Sequence, residues 1–327
     1  MTEKEHGIVL QQTGRNGRYG YGKGMVIAMN IIRMSGGIGN QMFQYALYLK
    51  LVSLGKEVKF DDVTEYELDN ARPIMLSVFG IEYPRAGREE LIRITDASMH
   101  PLSRIRRKIF GRKSGEYHEQ SADYDSTVLE KENAYLCGCF QSERYFKDIE
   151  PQVREAYQFR NVRIPAPAGE QIREYGRQIE ACTSVSIHIR RGDYLDAADV
   201  YGGICTDAYY NKAIRYMIEK YENPHFFVFT NDIFWAEKWC EVRARETGKP
   251  FWTVKGASEE TGYLDLMLMS QCKAHIIANS SFSWWGAWLD AAPEKCVIAP
   301  EKWQNGRECH DIYTEDMIRI SASGKIR

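Results

Sequence analysis

Short apolar runs bounded by turn residues recur along the chain at 26–34, 57–61, 135–139, 185–190, 226–230, 275–278 and 296–299, and each has the length of a strand. In the fourth run Val185, Ile187 and Ile189 alternate with Ser186, His188 and Arg190, which puts His188 and Arg190 on one face. Helical spacing of apolar residues, as at 42–54, lies between several of the runs. Strands alternating with helices predict an α/β fold with parallel sheets. Pro165, Pro167 and Gly169 interrupt both periodicities, so a linker is expected there, dividing an N-terminal half (25–164) from a C-terminal half (165–327). Residues 1–24, rich in Gly, Gln and Arg and poor in aliphatic side chains, read as a disordered extension or an over-long start, with Met25 or Met29 as alternative beginnings.

Composition narrows the class. A chain of 327 residues with 44% hydrophobic and 12% aromatic content can fill the cores of two domains. A net charge of −2 argues against a protein devoted to nucleic acid. The eight cysteines are scattered, the closest being Cys137 and Cys139, without a C-x-x-C pair or a compact His/Cys cluster. They are expected to be reduced core thiols of a cytoplasmic protein. No run reaches the roughly 18 apolar residues of a membrane span, since Asn30 and Arg33 break 25–34, and no signal peptide opens the chain.

Three segments carry candidate chemistry. In Ser186-Ile187-His188-Ile189-Arg190-Arg191-Gly192-Asp193-Tyr194 a strand opens into a charged glycine loop, a pattern suited to an anion; its bland alternative is a salt-bridged strand end. Gly36-Gly37-Ile38-Gly39-Asn40-Gln41 links a strand to a helix and would bring backbone N–H groups to a helix start. It is neither a P-loop nor a G-x-G-x-x-G, and close packing of helix on sheet explains such glycines equally well. Asn279-Ser280-Ser281-Phe282-Ser283 precedes Trp284, Trp285 and Trp288 and offers more hydroxyls than one N-cap requires.

Taken together, these segments resemble the α-1,2-fucosyltransferase family (glycosyltransferase family 11), whose members carry the same three motifs in the same order. With Thr230-Asn231-Asp232, the resemblance spans roughly residues 29 to 310. It implies a GT-B fold, in which two Rossmann-like domains face across a cleft. It also implies an inverting, metal-independent transfer of fucose from GDP-β-L-fucose, the donor substrate, to the 2-hydroxyl of a galactose-type residue on a glycan. No cofactor is implied. Arg190 would stabilise the departing diphosphate, with Ser280, Ser281 and Ser283, beside Asn279 and Phe282, holding it from the other side; Arg191 would pair structurally. Asn231 and Asp232 would read a guanine edge or ribose hydroxyls, or else form an Asx turn. Asn40 and Gln41, with Gly37 and Gly39, would reach donor or acceptor hydroxyls as the domains close. For the acceptor proton, Asp193, His188 and no side chain at all stand as alternatives. Other readings are a different GDP-sugar transferase (α-1,6- or O-fucosyl) and a glycan- or nucleotide-binding module without catalysis.

Acceptor choice is expected to lie in 66–150, where Tyr117, Tyr124 and Tyr145 would either stack on sugars or pack internally. The basic run 104–113 reads as a solvated helix face, with contact to an anionic membrane carrying lipid-linked glycans as the alternative. Golgi relatives of the family are membrane-anchored, so a chain lacking a span is expected to work in the bacterial cytoplasm, at most peripheral to the inner face of the membrane.

Overall fold

A computed structural model of the chain describes residues 28–67, 72–160, 162, 164–166, 169–192 and 197–327. The N-terminal extension, Asp193 and parts of the expected linker lie outside these residues. Two sheets form the frame. The first runs in the order β2 (Glu57–Asp61), β1 (Met29–Arg33), β4 (Tyr135–Cys137), β3 (Glu116–His118). The second runs β10 (Met317–Ile320), β9 (Cys296–Pro300), β8 (Ala274–Ile276), β5 (Thr183–Ile189), β6 (Pro224–Thr230), β7 (Phe251–Thr253). Every pairing between these strands is parallel. The expected α/β layering of GT-B type is what the chain adopts, two Rossmann-like halves with a cleft between them.

Three strands absent from the apolar pattern, β3, β7 and β10, are all sheet edges. An edge strand is short and half-exposed, so it needs no continuous apolar run. The central β5 is the opposite case, with every residue after Thr183 buried.

Six helices position the site and its surroundings: α1 (Ile38–Ser53), α2 (Pro101–Phe110), α3 (Asp207–Lys220), α4 (Ile233–Thr247), α5 (Tyr263–Ser270) and α6 (Ser281–Leu289). The first begins four residues earlier than apolar spacing predicts, directly after Gly37, whose carbonyl accepts from the N–H groups of Asn40 and Gln41 at 2.9 and 3.1 Å. A tertiary contact supports this early start in spite of Gly39, a weak helix former: Trp285 Nε1 donates to the Gly39 carbonyl at 3.0 Å.

The joint between the halves is aromatic. Phe43 of α1 lies 4.6 Å from Trp284 and 4.8 Å from Trp285, and Phe146 stacks on Trp285 at 5.6 Å. All four rings are fully buried, and burial of each contributes about 1.5–3 kcal/mol. Thus α6, which belongs by sequence to the C-terminal half, shares a core with α1, and the tryptophans after the serine cluster are packing residues. Beneath the second sheet runs a buried relay: Ser186 Oγ lies 2.9 Å from His275 Nδ1, and His275 Nε2 lies 3.1 Å from Asp290 Oδ2. All eight cysteines are free thiols. Among the described residues no helix is long and apolar enough to cross a membrane.

Candidate active site

The three motifs converge where β1, β5 and β8 end. At the exit of β5, Gly192 takes a φ of +44°, and a Cβ there would sit 2.5 Å from Asn231 Nδ2. Asn231 accepts in turn from the Arg191 backbone N–H at 2.9 Å. The Arg191 side chain folds away: Nε donates to Asp232 Oδ2 at 3.1 Å and the guanidinium covers the Trp235 ring at 4.3 Å. Arg191 therefore braces the loop, and Arg190 faces the cleft. Asp232 is occupied twice, pairing with Arg191 and capping α4 through the Trp235 N–H at 3.2 Å, so the Asx-turn alternative describes it; it lines neither cavity below.

The glycine segment meets the serine cluster directly. A Cβ on Gly39 would lie 2.6 Å from the Ser281 carbonyl carbon and 2.6 Å from the Phe282 nitrogen, so only glycine lets the two helix starts touch. Asn40 spans the same joint: its Oδ1 accepts from Ser281 Oγ at 2.8 Å and from Gln141 Nε2 at 2.8 Å. Gln41, expected to reach a ligand, is instead buried beneath Gly36 and Pro73, donating to both carbonyls and accepting from the Met75 N–H at 2.9 Å. Its side-chain amide is consumed by the fold. Ser283 also departs from expectation, with its hydroxyl buried and turned back to the Ser280 carbonyl at 3.2 Å. Asn279 is buried against the Trp303 carbonyl at 3.0 Å while still lining the cleft. Ser280, Ser281 and Phe282 open onto the cleft at the start of α6, where the first N–H groups of a helix lack internal partners.

The cleft has two lobes, each of about 490 Å³, sharing Gly37, Ile38, Arg72, Arg190 and Phe282. Arg190 therefore stands on the divide, and His188 lines one lobe, its ring 5.5 Å from that of Phe282. That lobe continues past Thr230 and Asn231 to Asp265 of α5. Asp265 was not singled out by motif, although a lone carboxylate within Leu264-Asp265-Leu266-Met267-Leu268-Met269 is a signal visible in the sequence. Its Oδ1 is buried with no hydrogen-bond partner among the described residues, and burial pushes its carboxyl up to about 7.

The other lobe is lined by Tyr66, Glu119, Trp303 and Arg307 around Asn40 and Ser281. Glu119 had no local signal; the edge strand β3 delivers it. Its oxygens accept from the N–H groups of Cys139 and Phe140, both at 3.0 Å, and burial raises its pKa in spite of these bonds and Arg307. Cys139 in the same wall has its thiol pushed up to about 12 by burial, which removes it as a nucleophile. Of the three tyrosines, Tyr145 is fully buried and Tyr124 packs on it edge-on at 4.8 Å, while Tyr117 donates to Asp125 at 2.7 Å.

Comparison with known proteins agrees with the motifs. The family model described as glycosyl transferase family 11 matches residues 11–321. An α-1,2-colitosyltransferase of Escherichia coli is 33% identical over 89% of this chain and 98% of its own length. A mouse galactoside α-(1,2)-fucosyltransferase 1 is 26% identical over 79% of this chain and 62% of its own. Among solved structures, the fucosyltransferase NodZ from Bradyrhizobium aligns with a TM-score of 0.42 at 14% identity, covering 80% of this chain and 93% of that one.

Proposed function

Since the chain belongs to glycosyl transferase family 11, and is therefore a glycosyltransferase, we propose that it moves L-fucose from GDP-β-L-fucose to the 2-hydroxyl of a galactose-type residue, with inversion at the sugar. The observation that carries this reading is the position of Arg190 between two cleft lobes, each large enough for part of the reacting pair. The lobe ending at Asp265 takes the nucleotide, and the lobe lined by Glu119, Trp303 and Arg307 takes the acceptor. The division between the halves falls at 164/165, a placement supported by the two sheets lying wholly on either side of it.

In the reaction the acceptor oxygen bonds to the anomeric carbon as the bond from that carbon to the diphosphate breaks. The electron pair leaves with GDP, whose charge Arg190 and the start of α6 stabilise. The hydroxyl proton departs to a base or to solvent. Asp193 and His188 remain the candidates from the β5 motif, and Glu119 joins them because its carboxylate is fixed in the acceptor lobe. Asp265, an acceptor at the far end of the nucleotide lobe, suits the paired N–H donors of guanine.

A second reading keeps the chemistry and changes the sugar: the relative at 33% identity is a colitosyltransferase, so a colitosyl donor is the competing substrate. Incubation with GDP-fucose and, separately, GDP-colitose against a panel of galactose-terminated disaccharides, with product linkage read by NMR, tests both. A 2-linked α-fucoside that vanishes in Arg190→Ala is the expected result. Transfer from GDP-colitose alone would assign the second reading, and tight GDP binding without turnover on either donor would overturn catalysis.

A further inference from the structure

We propose that α2 is an interfacial helix that seats the protein on an anionic lipid bilayer. The helix is locally well specified: Pro101 occupies its first turn, His100 accepts from the Leu102 N–H at 3.3 Å, and Gly111 closes it at a φ of +75°. Yet none of its residues is buried. Met99, Leu102, Ile105, Ile109 and Phe110 are 76%, 69%, 56%, 66% and 72% exposed, five of the thirteen exposed large apolar side chains among the described residues. Leu102, Ile105 and Ile109 follow the spacing of a single helix face, so the chain has built an apolar stripe and left it outside every core cluster.

Of the six cations in 104–113, three are engaged: Arg112 pairs with Glu116 and donates to the Thr95 carbonyl, both at 2.9 Å. Arg106 pairs with Asp96, and Arg107 donates to the carbonyls of Asp96 at 2.9 Å and Ser98 at 2.6 Å; these two pin the helix to the loop before it. Arg104, Lys108 and Lys113 form no ion pair with any described residue. Arg104 and Lys108 lie on the side of the helix away from the pinned face, flanking Ile105. Residues 104–113 hold six cations and no acid in a chain of net charge −2, so the positive charge is local and coincides with the apolar stripe.

An occupant must satisfy both features. A second copy of the same face would set Arg104, Lys108 and Lys113 against the same three cations, which like-charge repulsion opposes. A nucleic acid would leave the apolar stripe wet. A bilayer with anionic headgroups takes the leucine and isoleucines into its acyl boundary while Arg104, Lys108 and Lys113 hold phosphates, their aliphatic stems lying along the interface.

The test is sedimentation of the full chain with vesicles of phosphatidylcholine alone or mixed with phosphatidylglycerol. Binding is expected only to the mixed vesicles, weakening as salt rises. R104Q/K108Q/K113Q should reduce partitioning on the order of a hundredfold, since each cation near such a surface is worth about fivefold. L102S/I105S/I109S should reduce it as well, with turnover on a water-soluble acceptor unchanged in both variants. Sedimentation of the charge variant at the wild-type level, or equal binding to neutral vesicles, would overturn the proposal. A concentration-dependent dimer lost in the apolar variant would assign the face to a second copy and overturn it too. The readout involves no sugar transfer, so it is independent of the function proposed above.

Discussion

Ser281 donates its hydroxyl to Asn40 Oδ1 at 2.8 Å, joining the first turns of two helices that lie 241 residues apart in sequence and belong to different sheets. The bond is possible only because Gly39 lets the helix starts touch. Gly39→Ala should therefore force α1 and α6 apart and lower stability by about 1–3 kcal/mol, as an overpacked contact does. Urea denaturation checks this, and an unchanged midpoint would mean the joint is looser than its contacts indicate. Because Asn40, Ser281 and Arg190 line the same lobe, turnover should fall at temperatures where the variant is still folded.

The two arginines after β5 should separate in a mutational test. Arg190→Ala removes the cation at the divide between the lobes and should cost on the order of 10²–10³ in turnover. Arg191→Ala removes a brace on Asp232 and Trp235 and should act mainly through stability, with a far smaller loss at a temperature where the variant is folded. Equal losses in both, with normal melting curves, would contradict the division of roles.

How much of this was legible differs from residue to residue. The alternation around Ile187 placed β5 and its exit because a fully buried strand must be apolar on one face. The cation loop was readable for the same reason. Gln41 and Ser283 depart from the expected ligand contact because an amide or hydroxyl looks identical in sequence whether it meets a ligand or a backbone carbonyl, that of Pro73 for Gln41 and that of Ser280 for Ser283. Asp232 carried both readings, and only the Arg191 side chain decides between them. Gly39 carried both a ligand-loop and a packing reading, and its partner is the Ser281–Phe282 backbone, more than 240 residues on, which no local pattern reveals. Glu119 depends on an edge strand too short to announce itself, whereas Asp265 was visible as one charge in an apolar helix.

Turnover should persist in EDTA. Asp123-Tyr124-Asp125 has the spacing of a cation-binding pair, but both carboxylates are already engaged. Asp123 accepts from the Asp311 N–H at 3.0 Å and pairs with His310 at 3.0 Å, while Asp125 accepts from the Tyr117 hydroxyl at 2.7 Å and the Thr127 N–H at 2.9 Å. Charge on the departing diphosphate falls to Arg190 and the start of α6. Loss of activity in EDTA that Mn²⁺ restores would reverse this assignment.

Acidification should weaken the fold through His275. Burial holds its pKa below the ordinary imidazole value, against the pull of Asp290, so the native state keeps it neutral where the unfolded chain protonates it. Below about pH 6.5 the unfolded state binds the extra proton, and stability falls by up to about 1.4 kcal/mol per pH unit. His310 works the other way: Asp123 raises its pKa, so its contribution is complete below the unfolded value and fades as pH rises through the folded one. Urea midpoints from pH 7.5 to 5.5 in His310→Ala and in His275→Gln/His310→Ala isolate the two. The slope should be steep in the first and shallow in the second.

Nucleotide affinity should climb with pH because of Asp265. With its carboxyl pushed up to about 7, the free protein near pH 6 carries it mostly protonated, and a neutral carboxyl is a poor acceptor for two N–H donors. Guanine bound against it favours the ionised form, so GDP binding should release a proton near neutrality. Affinity should rise up to tenfold per unit below about pH 7 and level off above it. Calorimetry in buffers of different ionisation enthalpy measures the proton directly. Asp265→Asn should flatten the profile and weaken GDP selectively over ADP, which lacks the N–H edge. A proton count of zero in the wild type, with the same GDP-to-ADP preference in the variant, would remove Asp265 from the nucleotide lobe and leave its unpaired oxygen as a cost of packing α5.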